Sequence, residues 1–160
     1  MKVDYNIAAN KALLARASQI LAFNRLYFTE QDARMMTVIC IAESSGFLDM
    51  VGPIFKVTAD DIAKGFTGAP NTGLYVGNAD GTVDVSAWQI NKAPEGLDPQ
   101  EYAAMAYALW KKRGWQPWVQ FRRRDQIKDW PLWEAIVADA ASFTTEPVRY
   151  VEASKFRKKK

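Results

Sequence analysis

The sequence predicts an α+β domain that is predominantly α-helical, with a small β-hairpin or loop region between helices. Apolar residues recur at helical spacing in four separate stretches, and two of these open with capping residues. Gly, Pro, Asn and Asp gather instead between 47 and about 84. A chain of 160 residues suits one domain, 1–160, and its 49% hydrophobic content is enough for a core, which excludes a disordered interaction tail as the main body.

Residues 4 to about 26 place Ile7, Leu13, Leu14, Ile20, Leu21 and Leu26 close to helical spacing and predict the first helix. Thr29 followed by Glu30, Gln31 and Asp32 reads as an N-cap with an acidic first turn. Met35, Met36, Val38, Ile39, Ile41 and Ala42 then run almost without a break. That second helix is expected to be buried on most sides and to stop near Gly46. Between 47 and 84 a short helix starting at Thr58 and a hairpin around Tyr75 to Val85 are expected, with Asn78, Asp80 and Gly81 in a turn. Asp98, Pro99 and Glu101 open a helix over 99–113, which closes on Lys111, Lys112, Arg113 and then Gly114. A last helix is expected at about 131–142, before a polar tail.

The absence of histidine and the single cysteine, Cys40, exclude a disulfide framework, the usual zinc sites and histidine-based triads. Acid–base chemistry must then rest on carboxylates, lysine or tyrosine, with no metal or cofactor expected. Eight of the 21 basic residues lie in Arg122–Arg124 and in the tail at 155–160, which leaves 13 against 18 acids elsewhere. The basicity is local, a feature suited to adhesion to an anionic polymer. No apolar run is long enough to span a bilayer, and Asp4, Asn6, Asn10, Lys11 and Arg16 interrupt any secretory signal at the N-terminus.

Glu43 ends the apolar helix in ICIAESSGF, among Ile39, Ile41, Ala42 and Phe47. Burial and the negative end of the helix dipole both disfavour its charged form, so this carboxyl is a candidate general acid. The position also fits an ordinary surface glutamate at a helix end. Cys40, one turn earlier on the same face, is expected to be a buried, inert thiol. Further on, NADGTVDVSAWQIN offers Gln and Asn amides and an indole face, groups that suit sugar hydroxyls, acetamido groups and C–H surfaces.

AESSG at a helix end, then SAWQIN, AAMAYAL and RGWQPWVQF, resemble the lysozyme-like superfamily, in particular the soluble lytic transglycosylase type of domain found in bacteria and phage particles. The resemblance covers roughly residues 30 to 121. It implies a lysozyme-like fold with Glu43 as catalytic acid beside Ser44. It further implies that Trp88, Gln89 and Asn91 line a sugar cleft and that Tyr107 lies near the acid. Gly114, Trp115 and Trp118 match the closing motif, where the two tryptophans are expected to pack in the core. Ser86 and Ala87 stand where relatives commonly carry a glycine, and the segment 47–77 is longer than in many of them.

The same segment resembles the hairpin of animal-type lysozymes, in which an aspartate five residues before the glutamine supplies a second carboxylate. Asp84 holds that position; it either faces Glu43 across the cleft or serves the structure by capping the hairpin or bonding a nearby amide. The implied substrate is the β-1,4 glycan of peptidoglycan. Transglycosylation by Glu43 is expected first, and hydrolysis by Glu43 with Asp84 is the alternative. A non-catalytic glycan-binding particle protein is a third reading. The implied setting is a phage virion, among other virion proteins, or synthesis in the host cytoplasm with delivery to the periplasm and wall. No base-reading motif accompanies the basic clusters, which argues against a nucleic-acid partner.

Overall fold

A computed structural model of the chain describes residues 1–52, 54–55, 69–71, 74–76, 78 and 82–144. The helix expected at Thr58, the Asp80–Gly81 turn and the basic tail lie outside the described residues.

Helix α1 (Ala8–Asn24) starts later than its apolar spacing predicts. The Asp4 carboxylate accepts the Asn6 backbone N–H at 2.9 Å, and the Asn10 amide donates to the Asp4 carbonyl at 3.1 Å. These local bonds engage backbone groups that another helical turn would need. Helix α2 (Glu30–Ser44) follows its expected cap, although Thr29 donates its hydroxyl to Asp32 at 3.1 Å rather than capping a backbone N–H. It ends at Ser45 and Gly46, with φ of 57° and 80°. A Cβ on Gly46 would lie 3.2 Å from the Cβ of Arg16, so glycine serves both the turn and the approach of α1.

Among the described residues six short strands follow in two antiparallel sheets: β1 (Val51–Gly52), β2 (Ile54–Phe55), β3 (Ala69–Asn71), β4 (Leu74–Val76), β5 (Asp84–Val85) and β6 (Ile90–Asn91). Their orders are β1-β5-β6 and β2-β4-β3. The expected hairpin from Tyr75 to Val85 is therefore corrected. Among the described residues β4 lies between β2 and β3, while β5 pairs with β1 and β6. The chain does turn at Asn78, whose N–H donates to Thr82 O at 2.7 Å, but the flanking strands enter different sheets. In the first sheet Val51 faces Val85, and Asp84 faces Asn91.

Helix α3 (Pro99–Arg113) has the expected bounds, with Asp98 and Glu101 forming a reciprocal capping box. A short helix α4 (Val119–Arg122), a 3-10 turn at Arg124–Gln126 and helix α5 (Trp130–Ala141) complete the order. Helices α1, α2 and α5 pack on one another, burying Ile20, Leu21, Phe23, Met36, Ile39, Ile136 and Val137. Arg25 fixes the corner where they meet. It makes a forked contact with Glu30 at 2.6 and 2.7 Å and donates to the carbonyls of Ala141 (3.2 Å) and Thr144 (3.1 Å). Among the described residues no helix is long and apolar enough to cross a membrane. The architecture is α+β and mainly helical.

Candidate active site

Helix α2 delivers Glu43 to one wall of a cleft of ≈ 1070 Å³, which also exposes Asp84, Gln89 and Asn91 from the hairpin formed by β5 and β6. Met105, Ala108 and Leu109 of α3 and Pro117, Trp118, Val119 and Arg122 of the following segment add to the wall, together with the cations Lys92, Lys111, Lys112 and Arg113. A space of this size exceeds what a single small ligand fills and suits a run of an extended one.

The Glu43 Oε1 atom accepts the backbone N–H of Gln120 at 3.1 Å. Gln120 lies in the first turn of α4, where amides lack intrahelical partners, so the bond satisfies an otherwise orphaned donor. Burial holds the Glu43 carboxyl above the usual carboxylate range. The Gln120 N–H opposes that shift, the negative charge of Asp84 reinforces it, and Arg122 opposes it. The outcome is a carboxyl that keeps its proton to higher pH than an ordinary glutamate.

Asp84 sits opposite Asn91 in the β5–β6 ladder, and its Oδ1 accepts the Asn91 amide at 2.9 Å and the Asn78 amide at 3.1 Å. Thr82 braces both amides, with Oγ1 at 2.8 Å from Asn91 Nδ2 and 3.2 Å from Asn78 Nδ2. Asp84 thus lines the same cleft as Glu43 and is also held by the amides of Asn78 and Asn91. The sequence marks Asn78, six residues before Asp84, only as a turn former, and the structure adds its amide to the Asp84 carboxylate. Its spacing from an aspartate across a tight turn is the available signal for the added role.

Three expected contacts are corrected. Trp88 is 0% exposed: its ring packs edge-on to Phe23, its Nε1–H donates to Asn24 Oδ1 at 2.8 Å, and its carbonyl accepts Trp118 Nε1–H at 2.8 Å. It is a core residue that carries the hairpin and cannot stack on a sugar. Ser44 is buried as well; its hydroxyl lies 2.6 Å from Cys40 O and 2.9 Å from Ala87 O, clamping α2 to the hairpin instead of facing ligand. Tyr107 turns to the other side of α3, against Tyr27, Phe28 and Trp110, and does not line the cleft.

Gln89 does line the cleft, yet its amide nitrogen is committed to the turn, donating to Ser86 O at 2.7 Å with Met50 O and Asp84 O at 3.3 Å. Ser86 adopts φ 74°, a backbone region that glycine enters most readily. Its Oγ accepts the Trp88 N–H at 3.2 Å, and its own N–H donates to Met50 O at 2.7 Å. These bonds hold the serine in that conformation.

Trp118 is buried, and Trp115 stacks on Phe28 and Phe121, so both tryptophans belong to the packing. The arginine triplet divides: Arg122 reaches the cleft, whereas Arg124 lies over the Phe121 ring at 4.1 Å. Cys40 is fully buried, and burial first, with the Glu43 charge second, pushes its thiol upward. Among the described residues no group of three or more His, Cys, Asp or Glu gathers to hold a metal ion. No family model matches the chain, and no curated protein or solved structure is detectably similar to it.

Proposed function

We propose that the protein cleaves the β-1,4 bond between N-acetylmuramic acid and N-acetylglucosamine in peptidoglycan, within a lysozyme-like fold, with Glu43 as the general acid. The observation that carries this reading is the pairing of unlike carboxyl environments in one cleft. Glu43 is half-buried and holds its proton to higher pH than an ordinary glutamate, while Asp84, on the same cleft, is bound by two amides. Two carboxyl groups with opposed environments divide acid and charge-stabilising roles.

In the mechanism, the Glu43 carboxyl donates its proton to the glycosidic oxygen as the bond to the anomeric carbon breaks. The Asp84 carboxylate stabilises the positive charge that develops on that sugar. A water molecule then adds, giving its proton to the Glu43 carboxylate and restoring the acid. Asn91, at the cleft edge beside Asp84, is placed to meet a ring substituent. This arrangement favours hydrolysis over the transglycosylation that the sequence resemblance puts first. The transglycosylase route needs Glu43 alone, as acid and then as base for ring closure by the sugar's own hydroxyl, and Asp84 has no part in it.

The substrate lies outside the cytoplasmic membrane, so the protein acts there, consistent with a phage-borne or phage-released wall enzyme. Clearing of a cell-wall suspension by the purified protein tests the reading. Falling turbidity supports it, and a wall suspension left unchanged at high protein concentration contradicts it. The non-catalytic alternative predicts wall binding without clearing.

A further inference from the structure

An N-acetylated glycan chain is uncharged, yet the proposed glycan cleft is lined by Lys92 on the hairpin, Lys112 and Arg113 at the end of α3, and Arg122 on α4. The helix dipole accounts for cations in the last turn of α3 but not for Lys92 or Arg122, which come from separate elements. Lys112 and Arg113 follow Ala108 and Leu109 by four residues and so extend the cleft-lining face of α3. Lys111 lines the cleft as well, although its ammonium also sits 5.6 Å from the Tyr107 ring centroid. Among the described residues the ion pairs are Arg25–Glu30 and Arg34–Glu30, and none of the five cleft cations joins them. Cations from three elements thus converge on one cleft whose carboxyl groups are Glu43 and Asp84.

Resting on the peptidoglycan reading, we infer that this cationic side of the cleft receives the carboxylates of the stem peptide borne by muramic acid, making peptide-substituted strands the preferred substrate. A stem peptide projects from every second sugar, so a strand whose scissile bond lies at Glu43 carries one alongside the cleft. Its free carboxylates supply the negative charge that the sugars lack. Exposed ammonium and guanidinium groups meet them in water, and added salt screens these contacts.

The test uses Glu43→Gln protein, so that bound strands stay intact, and measures affinity by calorimetry for glycan strands with their stem peptides and for strands stripped of them by an amidase, the lactyl carboxylates so exposed being capped as methylamides to leave the sugars uncharged. The expected result is three- to tenfold tighter binding of peptide-bearing strands, roughly the effect of two or three exposed charge contacts. This preference shrinks at about 0.5 M salt and is lost in the Lys112→Gln/Arg113→Gln variant, with Lys92→Gln reducing it in part. Lys92, Lys112 and Arg113 are exposed, so these variants retain the fold. Equal affinity for both strands overturns the inference and leaves the glycan reading standing, as does a preference that survives the substitutions. Failure to bind either strand removes the glycan reading and the inference with it. Tighter binding of a single-stranded oligonucleotide than of either strand overturns the inference in favour of a polyphosphate ligand.

Discussion

Glu43 Oε1 and the backbone N–H of Gln120 meet at 3.1 Å, joining the end of α2 to the first turn of α4. The contact fixes the carboxyl group through a donor that no side-chain substitution removes. It also opposes the proton retention that burial imposes. The acid is therefore held in place by a bond that tempers its protonation without reversing it.

That balance gives a stability signature. The folded protein holds the Glu43 proton at pH values where the unfolded chain, with its ordinary value of 4.5, has released it. The stabilising contribution is complete below 4.5 and is lost as pH rises through the raised folded value. Glu43→Gln removes this dependence. Urea midpoints of wild type and variant, compared at about pH 4 and about pH 8, are expected to shift in the variant's favour at the higher pH.

Asp84→Asn tests the division of labour. The amide keeps the shape and one acceptor oxygen for Asn78 and Asn91 but carries no charge. Hydrolysis is expected to fall by about 10²-fold with the thermal midpoint little changed, since charge stabilisation of a transition state is worth that much. Initial rates of reducing-end release measure it, and unaltered rates favour the single-acid reaction.

Helices α1, α2, α3 and α5 are legible because each carries local signals, such as the cap at Asp98–Glu101 and the unbroken apolar face from Met35 to Ala42, whereas the one-turn α4 carries none. The place of Glu43 at the end of α2 is legible in the same way, but the groups it meets, the Gln120 N–H, Asp84 and Arg122, come from other elements. Trp88 is not legible, because an indole beside Gln-Ile has the same sequence whether it faces a sugar or the core. Its destination is decided by the Asn24 amide 64 positions earlier. Ser44 and Tyr107 failed in the same way: which way each faces is set by Ala87 and by Phe28, partners distant in the chain. The Gln120 N–H left no side-chain signal at all, and two-residue strands such as Val51–Gly52 are too short to show a period.

Trp88 should accordingly behave as a structural residue. Trp88→Ala is expected to cost about 3–5 kcal/mol through the cavity it leaves. Trp88→Phe keeps much of the volume but strips the Nε1–H from Asn24 Oδ1, at about 1–3 kcal/mol for a buried acceptor left unpaired. Urea unfolding measures both. A variant as stable as wild type, with weakened sugar binding, contradicts the core assignment.

The corner built on Arg25 predicts an acid-sensitive contribution of the opposite sign. The Arg25 hydrogen bonds hold Glu30 down to about 2, with Arg34 assisting. Its stabilisation is present above 4.5 and lost as pH falls towards about 2. Glu30→Gln is expected to flatten this acid limb in a pH series of thermal melts, whereas an unchanged limb contradicts the assignment. The pair is partly solvent-exposed, so the effect is modest and diminishes with salt.

Mass spectrometry of purified peptidoglycan digested by wild type and by Glu43→Gln addresses the role of Glu43 most directly. The account predicts muropeptides with free reducing ends from the wild type and a loss of at least about 10³-fold in the variant. Anhydro-terminated products would assign the single-acid reaction to the same residue. Intact glycan after wild-type treatment, or equal product release by Glu43→Gln, would contradict the claim that this carboxyl group breaks the bond.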